Sequence, residues 1–146
     1  MGKTVRAIII QNNKILLMRR NKQSGDYYTL VGGPIKDNET PEQALVREVK
    51  EESGLEVTSA RLVFIEEHPA PYNEQFIFLC EVVPREEVAI QDFTEEAQLN
   101  KLDYNTHEPV WTQANLFSNL PFRTPQLQDA IYKALSAGFP NEPIKL

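Results

Sequence analysis

Glu48, Glu51 and Glu52 stand at i, i+3 and i+4 of a segment whose two ends carry helix-terminus signals. On a helix that spacing puts their Cβ atoms about 5–6 Å apart on one face. Like charges so placed repel by about 0.2–0.5 kcal/mol per pair, so something cationic should offset them. Carboxylate oxygens are hard donors, and Mg²⁺ is held through a few of them while it keeps waters and substrate phosphates in its shell. The residues therefore point to Mg²⁺, with Mn²⁺ as a substitute. The plainer alternative is an acidic helix face turned to water, the usual fate of a charge run.

The helix itself is legible. The Thr40 hydroxyl can cap free amides, Pro41 sits where its missing donor is harmless, and Gln43 completes a capping box, so the helix begins near Pro41. Gly54 suits a left-handed C-terminal cap and the β-branched Val57 and Thr58 suit a strand, so the helix ends near Ser53. Ahead of it, Gly32-Gly33-Pro34 follows an apolar strand, where glycine permits close backbone approaches or simply a tight turn.

Taken together, Gly33, Glu39, Arg47, Glu48, Glu51, Glu52 and Gly54, with apolar Val49 and Leu55, read G-x5-E-x7-R-E-U-x-E-E-x-G-U, where U is apolar. This resembles the Nudix box with every fixed position filled, over residues 33–55. Pro34 and Lys36 depart from what many relatives carry, at positions the box does not fix. The resemblance implies an α/β/α sandwich with a mixed β-sheet. It also implies metal-dependent hydrolysis of the pyrophosphate linkage in a nucleoside diphosphate joined to a group X, in the class of nucleoside triphosphates, ADP-ribose or nucleotide sugars.

Residue by residue, the resemblance makes Glu48 and Glu52 metal ligands. Glu51 becomes a further ligand or the group that orients and deprotonates water. The carbonyl of Gly32 completes the metal site. Arg47 reaches Glu39 and holds the preceding loop, so Gly33, Glu39, Arg47 and Gly54 form the scaffold. In some members a glutamate from a distant loop is the base, which brings in Glu95, Glu96 and Glu108; each also reads as a solvated loop residue.

Substrate recognition must come from outside the helix. Arg19 and Arg20 follow the apolar run Ile15–Met18, and adjacent strand residues face opposite ways, so one of the two could point into a cleft and bind phosphate. Tyr27, Tyr28, Tyr72, Phe76 and Trp111 are candidate stacking groups; Phe76 and Trp111 sit in strand-like surroundings that favour packing, and Tyr72 lies in a Pro-rich loop. Pro71 stands sixteen residues beyond Leu55, a spacing the resemblance associates with ADP-ribose hydrolases, although ten prolines make any one weak evidence.

The rest of the chain bounds the answer. Its 146 residues, 41% hydrophobic and 25% charged, suit one domain spanning 1–146. A formal charge of −6 argues against broad attraction to nucleic acid or anionic membranes and for a small nucleotide partner. Many members of the family dimerise, so a homodimer stays open. Cys80, in the run Phe76–Cys80, reads as a small buried hydrophobe. Gln11–Lys14 interrupts the apolar start before signal or membrane-span length, so a cytoplasmic location is expected. Residues 4–10, 14–19, 27–31, 57–66 and 75–84 read as strands and 125–137 as a second amphipathic helix, an α/β pattern. The rival function is a catalytically silent domain used as a nucleotide sensor or protein-binding module, against which stands the full set of box glutamates.

Overall fold

The computed structural model describes residues 2–22, 25–67, 74–91 and 105–146. Tyr72, Pro71, Glu95 and Glu96 lie outside the described residues.

Strands β1 (Thr4–Gln11) and β2 (Lys14–Lys22) form a hairpin through Asn12 and Asn13. Their φ values of 53° and 62° are the left-handed angles of a tight hairpin turn, which asparagine tolerates. The run read as one strand over 27–31 is two: β3 (Gly25–Thr29) and β4 (Val31–Pro34). The break falls at Leu30 because the chain changes partner there. Tyr27 and Thr29 pair with β2, whereas Val31 and Gly32 pair with Ala7 and Arg6 of β1.

After helix α1 (Pro41–Ser53) come β5 (Val57–Glu67), β6 (Glu74–Val82) and β7 (Asn105–Gln113). A 3-10 segment at Ala114–Asn119, helix α2 (Pro125–Ala137) and the short β8 (Ile144–Lys145) follow. The sheet is mixed: β1 runs parallel to β6 and antiparallel to β4, β5 joins β6 antiparallel and β8 parallel, and β2 carries β3 and β7, both antiparallel.

Strand alternation divides the interior in two. Val5, Ala7 and Ile9 of β1 bury against Ala44, Leu45 and Val49 of α1, together with Leu16 and Met18 of β2. Ile8, Ile15 and Leu17 face the other way, onto Phe117 and onto Leu127, Ile131 and Ala134 of α2. Each fully buried Leu, Ile or Val contributes about 1.5–3 kcal/mol, so the two cores fix both helices on opposite faces of the sheet. The result is an α/β/α sandwich. Thr4 and Arg6 have the parity of Ile8, which sends them to the α2 side, where a cleft opens.

Cys80 is buried, and burial pushes its thiol pKa up to about 12, as befits a packing residue. No helix among the described residues is long and apolar enough to cross a membrane.

Candidate active site

The carboxylate helix is locked at both ends. Thr40 Oγ1 accepts from the Gln43 amide at 3.1 Å while Gln43 Oε1 accepts from the Thr40 amide at 2.9 Å. At the other end Gly54, with φ of 81°, donates to the Lys50 carbonyl. Once Ala44, Leu45 and Val49 face the core, Glu48 and Glu52 are drawn in beside them, each only 4% exposed, and Glu51 lies further round and more open.

Three contacts tie this helix to the strand before it. Glu52 Oε1 accepts from the Gly32 amide at 3.1 Å. A Cβ at Gly32 would stand 2.0 Å from the Val5 carbonyl oxygen, so the β1–β4 pairing itself demands glycine there. A Cβ at Gly33 would stand 2.6 Å from the carboxylate carbon of Glu48. Gly33→Ala should therefore displace Glu48, with an expected cost of about 1–3 kcal/mol as for other overpacked sites. Turnover should fall with it. Urea unfolding and rate measurements on the variant check this, and wild-type values for both would mean that Glu48 swings aside freely.

Arg47 is the hub. Its Nε and Nη2 grip Glu39 Oε2 and Oε1 at 2.6 and 3.0 Å, a bidentate fork, and Nη2 also donates to the Pro34 carbonyl at 3.1 Å. Its Nη1 donates to Glu48 Oε1 at 2.8 Å and to Glu51 Oε2 at 3.3 Å. Hydrogen bonding to Glu39, then to Glu48, raises the Arg47 pKa. The Arg47 fork, then the Lys36 amide at 2.9 Å, lowers the Glu39 pKa from 4.5 to about 2. A depressed carboxylate pKa stabilises the fold above its unfolded value and loses that stabilisation as pH falls through the folded value. The urea midpoint should thus decline between pH 4.5 and about 2, and Glu39→Gln should flatten that part of the curve. Identical slopes in both proteins would remove Glu39 from the acid response.

The expectation that all three carboxylates share one small volume needs correction. Among the described residues no three His, Cys, Asp or Glu side chains gather closely enough to enclose an ion. Like charges have parted, with Glu52 taking the Gly32 amide and Glu48 and Glu51 taking Arg47. The donor set still fits a hard divalent cation: it is all oxygen, and the missing side chain at Gly33 leaves the backbone within reach of Glu48.

On the α2 side lies a cleft of about 450 Å³. Arg6, Arg20, Tyr27, Gln75, Arg123 and Thr124 line it. Arg6 Nε donates to Gln75 Oε1 at 2.9 Å and its Nη1 to the Leu30 carbonyl at 3.1 Å. Gln75 Nε2 and the Thr124 hydroxyl both donate to the buried Glu66. Burial lowers the Arg6 pKa, and the charges of Glu52 and Glu48 partly oppose this, so Arg6 lies within the field of the carboxylate helix.

Of the two adjacent arginines, Arg20 lines this cleft. Arg19 is exposed and pairs with Asp26 at 3.0 Å and Glu108 at 3.6 Å. Glu108 is thus brought to Arg19 at an exposed strand edge and does not line the cleft. Tyr28 packs on the α2-side core; Phe76 and Trp111 pack on the α1-side core, with Trp111 Nε1 donating to the Glu86 carbonyl. Arg6, Gln75, Glu66, Arg123 and Thr124 were not anticipated. Only Arg6 left a signal, a charge inside the apolar run Val5–Ile10.

The NUDIX domain family matches residues 1–131. Over 63 residues the chain is 40% identical to an 8-oxo-dGTP diphosphatase of Proteus vulgaris, an alignment covering 42% of this chain and 56% of that protein. It is 36% identical over 73 residues to the NAD-capped RNA hydrolase NudC of Pectobacterium carotovorum, covering 50% of this chain and 28% of the relative. The chain thus aligns with between about a quarter and just over half the length of these curated relatives. The fold matches the solution structure of the E. coli ORF135 protein at a TM-score of 0.68 and 24% identity, over 94% of this chain and 92% of that one. A structure from work on MutT of Aliivibrio salmonicida and Vibrio cholerae matches at 0.69 and 20% identity, over 94% and 98%. At such identities these matches show the fold alone. The chain belongs to the Nudix family, a family of nucleotide pyrophosphatases that generally use divalent cations.

Proposed function

We propose that this chain hydrolyses the pyrophosphate linkage of a nucleoside diphosphate joined to a further group, using a divalent cation, Mg²⁺ by preference. The observation that carries the reading is the Arg47 hub, which fixes Glu39, Glu48 and Glu51 on the same helix whose Glu52 is bonded to Gly32, directly across the β1–β4 pairing from Arg6. Glu48, Glu51, Glu52 and the Gly32 carbonyl would hold the cation, which supplies neutralisation of the charge that grows on pyrophosphate oxygens.

The chain's own groups do the rest. Glu51, the most open of the three helix carboxylates, orients a water and takes its proton on Oε1 or Oε2. Arg6 offers its guanidinium to phosphate oxygens at the cleft edge. Arg47 holds Glu48 and the 34–39 loop still, so positioning is complete before the substrate arrives. A small nucleotide fits this reading better than a polymer, because the chain carries a net charge of −6 and a long RNA would find little to hold. The relatives' substrates, 8-oxo-dGTP and NAD-capped RNA, belong to the same bond class.

The test is nucleotide and phosphate release from nucleoside triphosphates, ADP-ribose, dinucleoside polyphosphates and nucleotide sugars, with Mg²⁺, with Mn²⁺ and with chelator. Metal-dependent turnover of one class is the expected result. Silence across the panel, with nucleotide binding still measurable by calorimetry, would replace the enzyme with a sensor.

A further inference from the structure

The cleft beside the carboxylate helix has an unusual charge balance. Three arginines, Arg6, Arg20 and Arg123, line it, and no aspartate or glutamate does. The nearest buried carboxylate, Glu66, sits behind the wall and accepts from Gln75 and Thr124. In a chain of net charge −6, three guanidiniums in one cavity form a local positive field opposed to that of the whole molecule.

Tyr27 offers little to a neutral base. Its ring is 9% exposed, and the Arg123 guanidinium lies 3.8 Å from the ring centroid, so a guanidinium already stacks there. Arg20 lies 5.6 Å from the same centroid. The two arginines therefore flank Tyr27 on β3, whereas Arg6 stands on β1 opposite Gly32, next to the carboxylates where the pyrophosphate would react. One guanidinium serves the reacting phosphates, and two remain at the Tyr27 end for something else.

We propose that Arg20 and Arg123 form a second anion subsite, and that the preferred substrate carries a phosphate monoester in addition to its pyrophosphate. This rests on the pyrophosphatase reading above and narrows it to doubly anionic substrates. A monoester carries a charge of about −1.5 to −2 at neutral pH, with three acceptor oxygens that suit guanidinium forks. Arg123 is exposed on the segment before α2 and packs over Tyr27, so it can turn its fork to an incoming oxygen with little rearrangement.

The test compares matched pairs that differ by one phosphate: 2′-phospho-ADP-ribose against ADP-ribose, and coenzyme A against dephospho-coenzyme A. The expected result is a kcat/KM at least about tenfold higher for the phosphorylated member of one pair, the size that charge-assisted hydrogen bonds provide. Arg123→Gln should bring that ratio towards one, whereas Lys133→Gln, at the exposed Lys133–Asp129 pair of α2, should leave it unchanged. Ratios near one in the native protein, with the plain substrates still hydrolysed, overturn the subsite and leave the pyrophosphatase intact. An unchanged ratio in Arg123→Gln overturns it as well. If nothing is hydrolysed, the pyrophosphatase reading falls, and calorimetry with 2′-phospho-ADP-ribose and ADP-ribose still decides the subsite by their affinity ratio.

Discussion

Glu52→Gln should lower turnover by more than about 100-fold, beyond what loss of a supporting contact around a metal costs, and leave the protein folded. The amide keeps an oxygen to accept the Gly32 N–H, so the link between α1 and β4 survives. What disappears is one negative charge from a site that needs it to hold a cation. Glu52 and Glu48 are both 4% exposed and lie one helical turn apart, so neutralising one also relieves repulsion in a desolvated place. The unfolding midpoint should therefore match or exceed that of the native protein while Mg²⁺-dependent product release collapses. Retained activity would remove Glu52 from the cation site and, with it, the reading of the helix face.

Arg47→Ala should have the opposite signature, a loss of stability first. Five hydrogen bonds run from this one guanidinium to Glu39, Glu48, Glu51 and the Pro34 carbonyl. Removing it leaves the buried Glu48 beside Glu51 and Glu52 without that compensation. Breaking a buried ion pair from one side costs about 3–5 kcal/mol, and because the Arg47 side chain is 21% exposed the lower end, about 3 kcal/mol, is expected. That is a large share of a typical total of about 5–15 kcal/mol. Arg47→Lys should recover charge but not the fork on Glu39, and fall between the two. Urea unfolding decides: a loss below about 1 kcal/mol in the alanine variant would make the hub an ordinary surface pairing.

Local signals explain which parts of the molecule were legible. The reciprocal Thr40–Gln43 bonds and the left-handed Gly54 are set by residues within a turn of the helix ends, so α1 could be bounded to Pro41–Ser53 from the sequence. The Arg47–Glu39 contact was anticipated only through the resemblance, since nothing local directs a side chain back across eight positions. Strand β7 escaped notice because Thr106, His107, Glu108 and Pro109 read as loop. Its place explains them: among the described residues it pairs with β2 alone, and an edge strand tolerates a proline that a central one would reject. The cleft was invisible for a different reason. Arg6, Arg20, Gln75 and Arg123 come from four distant segments, and only tertiary packing gathers them.

Strand β1 has its antiparallel neighbour β4 within the first 34 residues, but its parallel neighbour β6, which sets Thr4 beside Gln75, arrives only after α1 and β5 have been made. On an emerging chain the glutamate helix therefore forms against a half-built sheet, with one edge of Val5–Ile9 unsatisfied until residue 80 is available. Closing so long a loop is entropically slow, and an open apolar edge in the interval is a template for another chain. The strand that aims Arg6 at the substrate is also the one whose completion governs how fast, and how cleanly, the protein reaches its working form.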